Sequence, residues 1–170
     1  VARTFRGSEE VKVDAKGRVS IPAKFRRVFE QNDPDWQPGN RPQLVIVYGS
    51  RKQNHLRLFT MQAIEEIDRG IARMRRGSPE RTVLETMMNG QSEEAEIDGD
   101  GRLLLPLKLR EKIGLDDRAY FMASGDYLKV WKPEIYDEEE EQLEALIPDF
   151  EPGADPLSLL DPEPMEEAGG

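Results

Sequence analysis

Apolar and polar positions alternate with period two in a series of short runs, and the breaks between them recur. Val11 and Val13 lead into "AKG", and Val19 and Ile21 follow. That pattern predicts a hairpin of half-buried strands. The stretch 14–22, "DAKGRVSIP", returns at 98–106 as "DGDGRLLLP", with the same internal spacing. Both copies continue into a short helical pattern, "PAKFRRVFEQ" and "PLKLREKIGL", with Pro22 and Pro106 suited to a first turn. Next come two strands around a polar turn, "LVIVYGSRKQNHLRLF" in the first copy and "RAYFMASGDYLKVW" in the second. Phe59 and Trp131 close these hairpins, and the second copy is the shorter. The loop 32–42, rich in Pro, Gly, Asn and Asp, accounts for the difference.

Helices fill the remainder. In 61–76, Ile64, Ile67, Ile71 and Met74 share one face, and Thr60 is the expected cap. Further helices are expected over 79–89 and over 133–147, the last begun by Pro133 and stopped by Pro148. The resulting division is a first half, 5–77, an inter-half helix and linker, 78–92, and a second half with terminal helix, 93–147. An acidic tail, 148–170, then mixes Pro, Gly and acid and carries too little apolar surface to offset its ordering entropy.

Charge changes this picture more than overall composition does. The 170 residues carry a formal net charge of −10 and no cysteine. Disulfides and thiolate metal sites are excluded, which fits a reducing, cytoplasmic setting. The 13 acidic residues from Asp137 onward, with no Lys or Arg among them, set the sign. Residues 1–80 hold 16 basic and 10 acidic side chains, whereas 81–136 hold 8 and 11. A basic first half suggests a polyanionic partner. No apolar stretch approaches the ~18 residues needed to cross a bilayer.

The repeated turn is where the chemistry concentrates. Gly17 and Gly101 are expected at positive φ, and Asp14 and Asp98 are expected to accept hydrogen bonds from turn amides. These four residues are read as turn scaffold. An Arg directly after the glycine, Arg18 or Arg102, projects a guanidinium that can grip phosphate or read a guanine edge. One copy alone reads as an ordinary turn with an exposed Arg, and the recurrence of Arg at the same offset favours a functional role. Lys16, Lys24, Arg26 and Arg27 extend the basic surface of the first copy. Lys108, Arg110 and Lys112 do so in the second, and the helix cations Lys24, Arg27, Lys108, Arg110 and Lys112 read as solvated or paired charges rather than base readers.

These stretches, together with "FRGS" near the start and "YLKVWKPEIYDEE", resemble the MraZ family of bacterial transcriptional regulators over roughly residues 5–140. The resemblance implies an α+β fold: a tandem AbrB-like swapped-hairpin β-barrel, a pseudo-dimer of two β-rich halves with flanking helices. It implies double-stranded promoter DNA as partner and direct repeats upstream of a division and cell-wall gene cluster as the target, usually repressed. It also implies self-assembly into a ring, taken first as an octamer, and a cytoplasmic, nucleoid-associated location with no membrane and no cofactor. In this reading Arg18 makes the main contact and Lys16 adds phosphate attraction. Arg102 contributes more weakly, and Arg3 and Arg6 add phosphate contacts from the N-terminal arm. Two features depart from the family pattern: the acidic extension after about residue 145, and Asp100, which sets a carboxylate where a DNA-facing turn would profit from a cation.

Catalysis fits poorly. His55 is the sole histidine and sits in an expected strand without a nucleophile at motif spacing, and neither "DEEEE" nor "EEAEIDGDG" has the spacing of a calcium loop. Metal ligands are therefore not assigned. Two other readings remain open. One is an antitoxin-like DNA-binding protein whose acidic tail, with Leu157, Leu159 and Leu160, holds a protein partner. The other is a ring-forming scaffold without DNA contact.

Overall fold

The computed structural model describes residues 4–147, 149–151 and 153–162. Eight strands and five α-helices follow in the order β1 (Ser8–Lys12), β2 (Arg18–Ser20), α1 (Ala23–Gln31), β3 (Gln43–Val47), β4 (Leu56–Thr60), α2 (Met61–Ala72), α3 (Pro79–Glu85), β5 (Ser92–Glu96), β6 (Arg102–Leu104), α4 (Leu107–Lys112), β7 (Arg118–Ala123), β8 (Tyr127–Trp131) and α5 (Pro133–Glu141). The fold is mixed α+β. One antiparallel sheet of six strands has the order β1-β7-β8-β4-β3-β5, and β2 and β6 form a separate two-stranded ribbon.

Pairing crosses between the copies of the repeat. The first strand of each half lies on the hairpin of the other: β1 pairs with β7, and β5 with β3. The registers obey one pseudo-two-fold relation. Glu10 faces Tyr120 as Glu94 faces Val45, and Leu56–Val130 exchanges with Leu58–Leu128. Two pairs map onto themselves, Val19 with Leu103 and Arg57 with Lys129, so the axis passes through both.

The axis runs through a shared core. Val19 and Leu103 are 0% and 1% exposed. Phe25, Phe29 and Leu44 from the first half join Leu105, Leu109 and Phe121 from the second in one cluster. Each large side chain buried this way contributes about 1.5–3 kcal/mol, so neither half retains its core alone. A second cluster lies on the other face of the sheet, where Ile64 and Ile71 of α2 cover Val45, Val47 and Phe59. Thr60 caps α2 as its sequence predicts, accepting from the Ala63 amide at 3.1 Å.

Several helices are shorter than their patterns suggest. α2 ends at Ala72, and Met74 lies beyond it. The expected helix 79–89 is α-helical only to Glu85. A π-turn over Thr86–Gly90 follows, and Met88 within it is buried in the α2 cluster. The expected helix 133–147 stops at Glu141 and gives way to a 3₁₀ turn at Leu143–Leu146. Successive carboxylates from Asp137 to Glu141 crowd the last turn, where like charges and the negative helix end both oppose continuation.

The chain divides into two compact units, up to Tyr136 and from Asp137 on. Within the second, Asp155 caps a 3₁₀ turn at Pro156–Leu159 by accepting from the Leu157 amide at 3.0 Å. The tail expected to lack structure, 148–170, falls partly outside the described residues. Among the described residues no helix is long and apolar enough to cross a membrane.

Candidate nucleic-acid interface

Each D-x-x-G-R stretch folds into the same closed turn. In the first copy, Asp14 Oδ1 accepts from the amides of Lys16 (2.9 Å) and Arg18 (2.8 Å). The Gly17 amide donates to the Asp14 carbonyl at 3.0 Å, and Gly17 has φ +87°. In the second copy, Asp98 Oδ1 accepts from Asp100 (2.9 Å) and Arg102 (3.0 Å), and Gly101 has φ +76°. Both Asp carboxyls are held below the usual carboxylate range. The largest cause is the backbone hydrogen bond from the motif arginine, Arg18 or Arg102.

The two arginines are held differently. Arg18 Nε donates to Asp14 Oδ2 at 2.9 Å. Among the described residues its two terminal nitrogens have no hydrogen-bond partner, so the outer fork is open. Arg102 stands 3.8 Å from Asp98 and gives Nη2 to Asp100 at 3.0 Å, an ion pair that blunts its charge. Asp100, the residue expected to weaken DNA contact by the second turn, is thus a direct partner of Arg102.

The ribbon brings both turns onto one face. Arg18 pairs with Leu104, and Ser20 with Arg102, while Val19 and Leu103 point into the core. By strand alternation Arg18, Ser20, Arg102 and Leu104 share the outward face. Arg18 and Arg102 also line a common cavity of about 360 Å³ with Arg41 and the carboxylates of β5. Lys16 is fully outside, exposed at the tip of the first turn.

The N-terminal arm is placed elsewhere. The Phe5 amide donates to the Gly125 carbonyl and Ala123 to the Gly7 carbonyl, so Arg6 lies beside the β7–β8 hairpin tip. Roughly 23 Å of extended strand separate Arg6 from Val13 at the turn end. Arg3 lies outside the described residues. The other helix cations divide by partner. Lys24 pairs with Glu9 at 3.0 Å, and Lys108 lies over the Tyr48 ring. Lys112 donates to the Gln53 carbonyl at 2.6 Å, with its pKa lowered by burial. His55 packs its ring 5.0 Å from that of Trp131, which is a core residue, and Trp36 anchors its loop by donating to the Asn40 carbonyl.

Two residues that the sequence places only in the general basic surface complete the site. Arg110 of α4 crowds the Gly17 turn of the opposite half, and Arg26 of α1 crowds Gly101. Each turn is therefore braced by an arginine from the other copy. The two arginines are related by the same repeat offset as the motif, but only the strand exchange shows which turn each one meets. Among the described residues no group of three or more His, Asp or Glu side chains is placed to hold a metal ion.

The sequence model of the family described as "MraZ protein, putative antitoxin-like" matches residues 4–85 and 88–152. The chain belongs to the MraZ family. A relative from a Ruegeria species, named transcriptional regulator MraZ, is 53% identical over 162 residues, covering 95% of this chain and 97% of its own. One from Ruegeria pomeroyi with the same name is 52% identical over 166 residues, with the same coverage. Another from Cereibacter sphaeroides is 40% identical over 169 residues, covering 95% and 98%. The MraZ match spans both copies of the turn, the ribbon that joins them and the two bracing arginines.

Proposed function

We propose that the chain is a sequence-specific DNA-binding transcriptional regulator, acting chiefly as a repressor on direct repeats in the promoter of its own gene cluster. The observation that carries this reading is the pairing of β2 with β6, which sets two preorganised Arg-bearing turns side by side on one outward face. A two-stranded ribbon of this kind fits the major groove, and an arginine fork there can grip phosphate or a guanine edge. Arg18 makes the principal contact, Lys16 supplies phosphate attraction and Arg102 a weaker one. Asp14, Gly17, Asp98 and Gly101 hold the turns. The names carried by the relatives support the regulator class.

The exchanged strands support reading the two halves as an AbrB-like swapped-hairpin pseudo-dimer. In a ring of subunits, neighbouring ribbons would meet adjacent repeats at high effective concentration, so weak single contacts suffice. Arg3 and Arg6 would then serve as phosphate contacts from the N-terminal arm. An antitoxin-like role for the tail is the second reading, favoured by the exposed Leu157, Leu159 and Leu160.

A salt-dependent gel shift tests the proposal. The full chain should retard DNA from upstream of its own gene more strongly than scrambled DNA, and Arg18→Ala should abolish the difference without unfolding the protein. Full affinity of Arg18→Ala at moderate salt would rule the site out. Co-purification of a small protein through residues 148–170 would favour the tail reading.

A further inference from the structure

The pseudo-two-fold relation allows the two turns to be compared position by position, and they are not alike. Lys12, Lys16 and Arg27 of the first copy stand where the second has Glu96, Asp100 and Glu111. All six are exposed, and every change runs from cation to anion. Two changes run the other way: Val28 to Lys112 adds a cation that is already bound to the Gln53 carbonyl, and Glu30 to Gly114 removes a carboxylate. On the ribbon's outward face Ser20 corresponds to Leu104, and at the start of the next helix Ala23 corresponds to Leu107. Leu104 is 54% exposed and Leu107 58%, among the largest apolar exposures in the unit up to Tyr136.

Charge and apolarity have thus been separated onto opposite sides of the axis. The first side attracts phosphate. The second side, with Glu96, Asp100 and Glu111 in place of those cations, attracts it less. An exposed leucine directly opposite Arg18 gains free energy when an apolar surface covers it, and on DNA the available one is the methyl group of thymine in the major groove. A protein with a true two-fold axis reads a palindrome, because both half-sites meet the same side chains. Here they do not.

Resting on the DNA-binding reading above, we infer that the two turns divide recognition between them. The first turn is held at phosphates, and the second turn reads a thymine methyl through Leu104.

Uracil scanning tests this with the full chain. Fluorescence anisotropy is measured on a promoter duplex protected in footprinting, with thymines replaced by uracil one at a time. Loss of a buried methyl should weaken binding about fourfold, and the sensitive thymines should fall on one side of each repeat unit. Leu104→Ser should bind thymine and uracil duplexes equally. Exchanging the pair, Ser20→Leu with Leu104→Ser, should move the sensitivity to the other side. Sensitivity that is absent, symmetric about the unit centre, or unchanged by Leu104→Ser overturns the inference while Arg18→Ala still weakens binding. If Arg18→Ala leaves binding intact as well, the DNA-binding reading fails with it.

Discussion

Arg110 fills the space in which a side chain on Gly17 would stand. A Cβ at Gly17 would lie 2.5 Å from Arg110 Nε and 2.7 Å from the Leu105 carbonyl oxygen. Arg110 Nε is itself fixed, donating to that carbonyl at 2.8 Å. The Gly17 amide and carbonyl are also engaged, the latter by the Leu105 amide at 2.8 Å. One half therefore forms the seat on which the other half's turn rests.

This seat makes a double-mutant cycle informative. Gly17→Ala should destabilise by about 1–3 kcal/mol, since positive φ is strained for alanine and the Leu105 carbonyl cannot move aside. Arg110→Ala alone should weaken promoter binding while leaving the fold intact, because it loosens the Arg18 turn. The two changes should be less than additive in stability, since the second removes part of the clash of the first. Thermal melts and anisotropy on the four proteins measure the coupling, and strict additivity would show that the contact does not matter. In the second copy, a Cβ on Gly101 would lie 2.8 Å from Arg26 Nη1, but Arg26 Nε has no hydrogen-bond partner among the described residues. Arg26→Ala should accordingly cost less.

The motif aspartates predict a pH response. Asp14 and Asp98 have folded-state pKa values below the usual ones, chiefly through hydrogen bonds from the Arg18 and Arg102 amides. A depressed carboxyl stabilises the fold above its unfolded pKa, about 4, and that contribution is lost as pH falls through the folded value. Binding and turn order should therefore be flat from neutral pH down to about 5 and decline only below about 4. Carboxyl chemical shifts followed by NMR should place both titrations below the ordinary aspartate value, about 3.9. Asp14→Asn should remove the acid-side loss at the first turn.

Much of the fold was legible in the sequence because its determinants are local. Alternating Val11, Val13, Val19 and Ile21, a glycine that tolerates positive φ and an aspartate placed to accept from turn amides specify the hairpin without tertiary help. Thr60 likewise announces α2. What was not legible depends on partners distant in sequence. The bracing of Gly17 by Arg110 exists only because β1 crosses to β7 and β2 to β6. The end of α5 at Glu141 reflects repulsion within an acidic run, a cost that Pro148 as a distant stop signal conceals. The Lys12–Glu96 and Arg27–Glu111 reversals were present at the repeat offset, but they acquire meaning only when the axis shows which positions are equivalent.

The position of the axis predicts one unfolding event. Val19 and Leu103 face each other in the core, and each belongs to a different half. Leu103→Ala should cost about 2–5 kcal/mol by leaving a cavity that both halves line. The two tryptophans allow each half to be followed, Trp36 in the first and Trp131 in the second. Denaturant transitions of Trp36→Phe and Trp131→Phe should coincide, before and after the cavity substitution, as expected of a cooperative unit. Separated midpoints would mean that the halves fold independently despite their exchanged strands.

Asp100→Lys tests whether the second turn faces DNA at all. Asp100 is exposed and takes one terminal nitrogen of Arg102 at 3.0 Å, so the wild-type turn presents a partly neutralised cation. Lysine at this position recreates the first copy's arrangement, in which Lys16 stands free and the outer fork of Arg18 is open. The backbone should not object, because Asp100 adds only its amide to the turn and Asp98 provides the acceptor. Affinity for promoter DNA should rise, and the slope of log affinity against log salt should steepen by about one for each phosphate newly engaged. Discrimination against scrambled DNA should stay unchanged, because phosphate contacts strengthen every sequence alike. If neither affinity nor slope changes, the second turn points away from DNA, and Arg102 belongs to the architecture of the ribbon rather than to recognition.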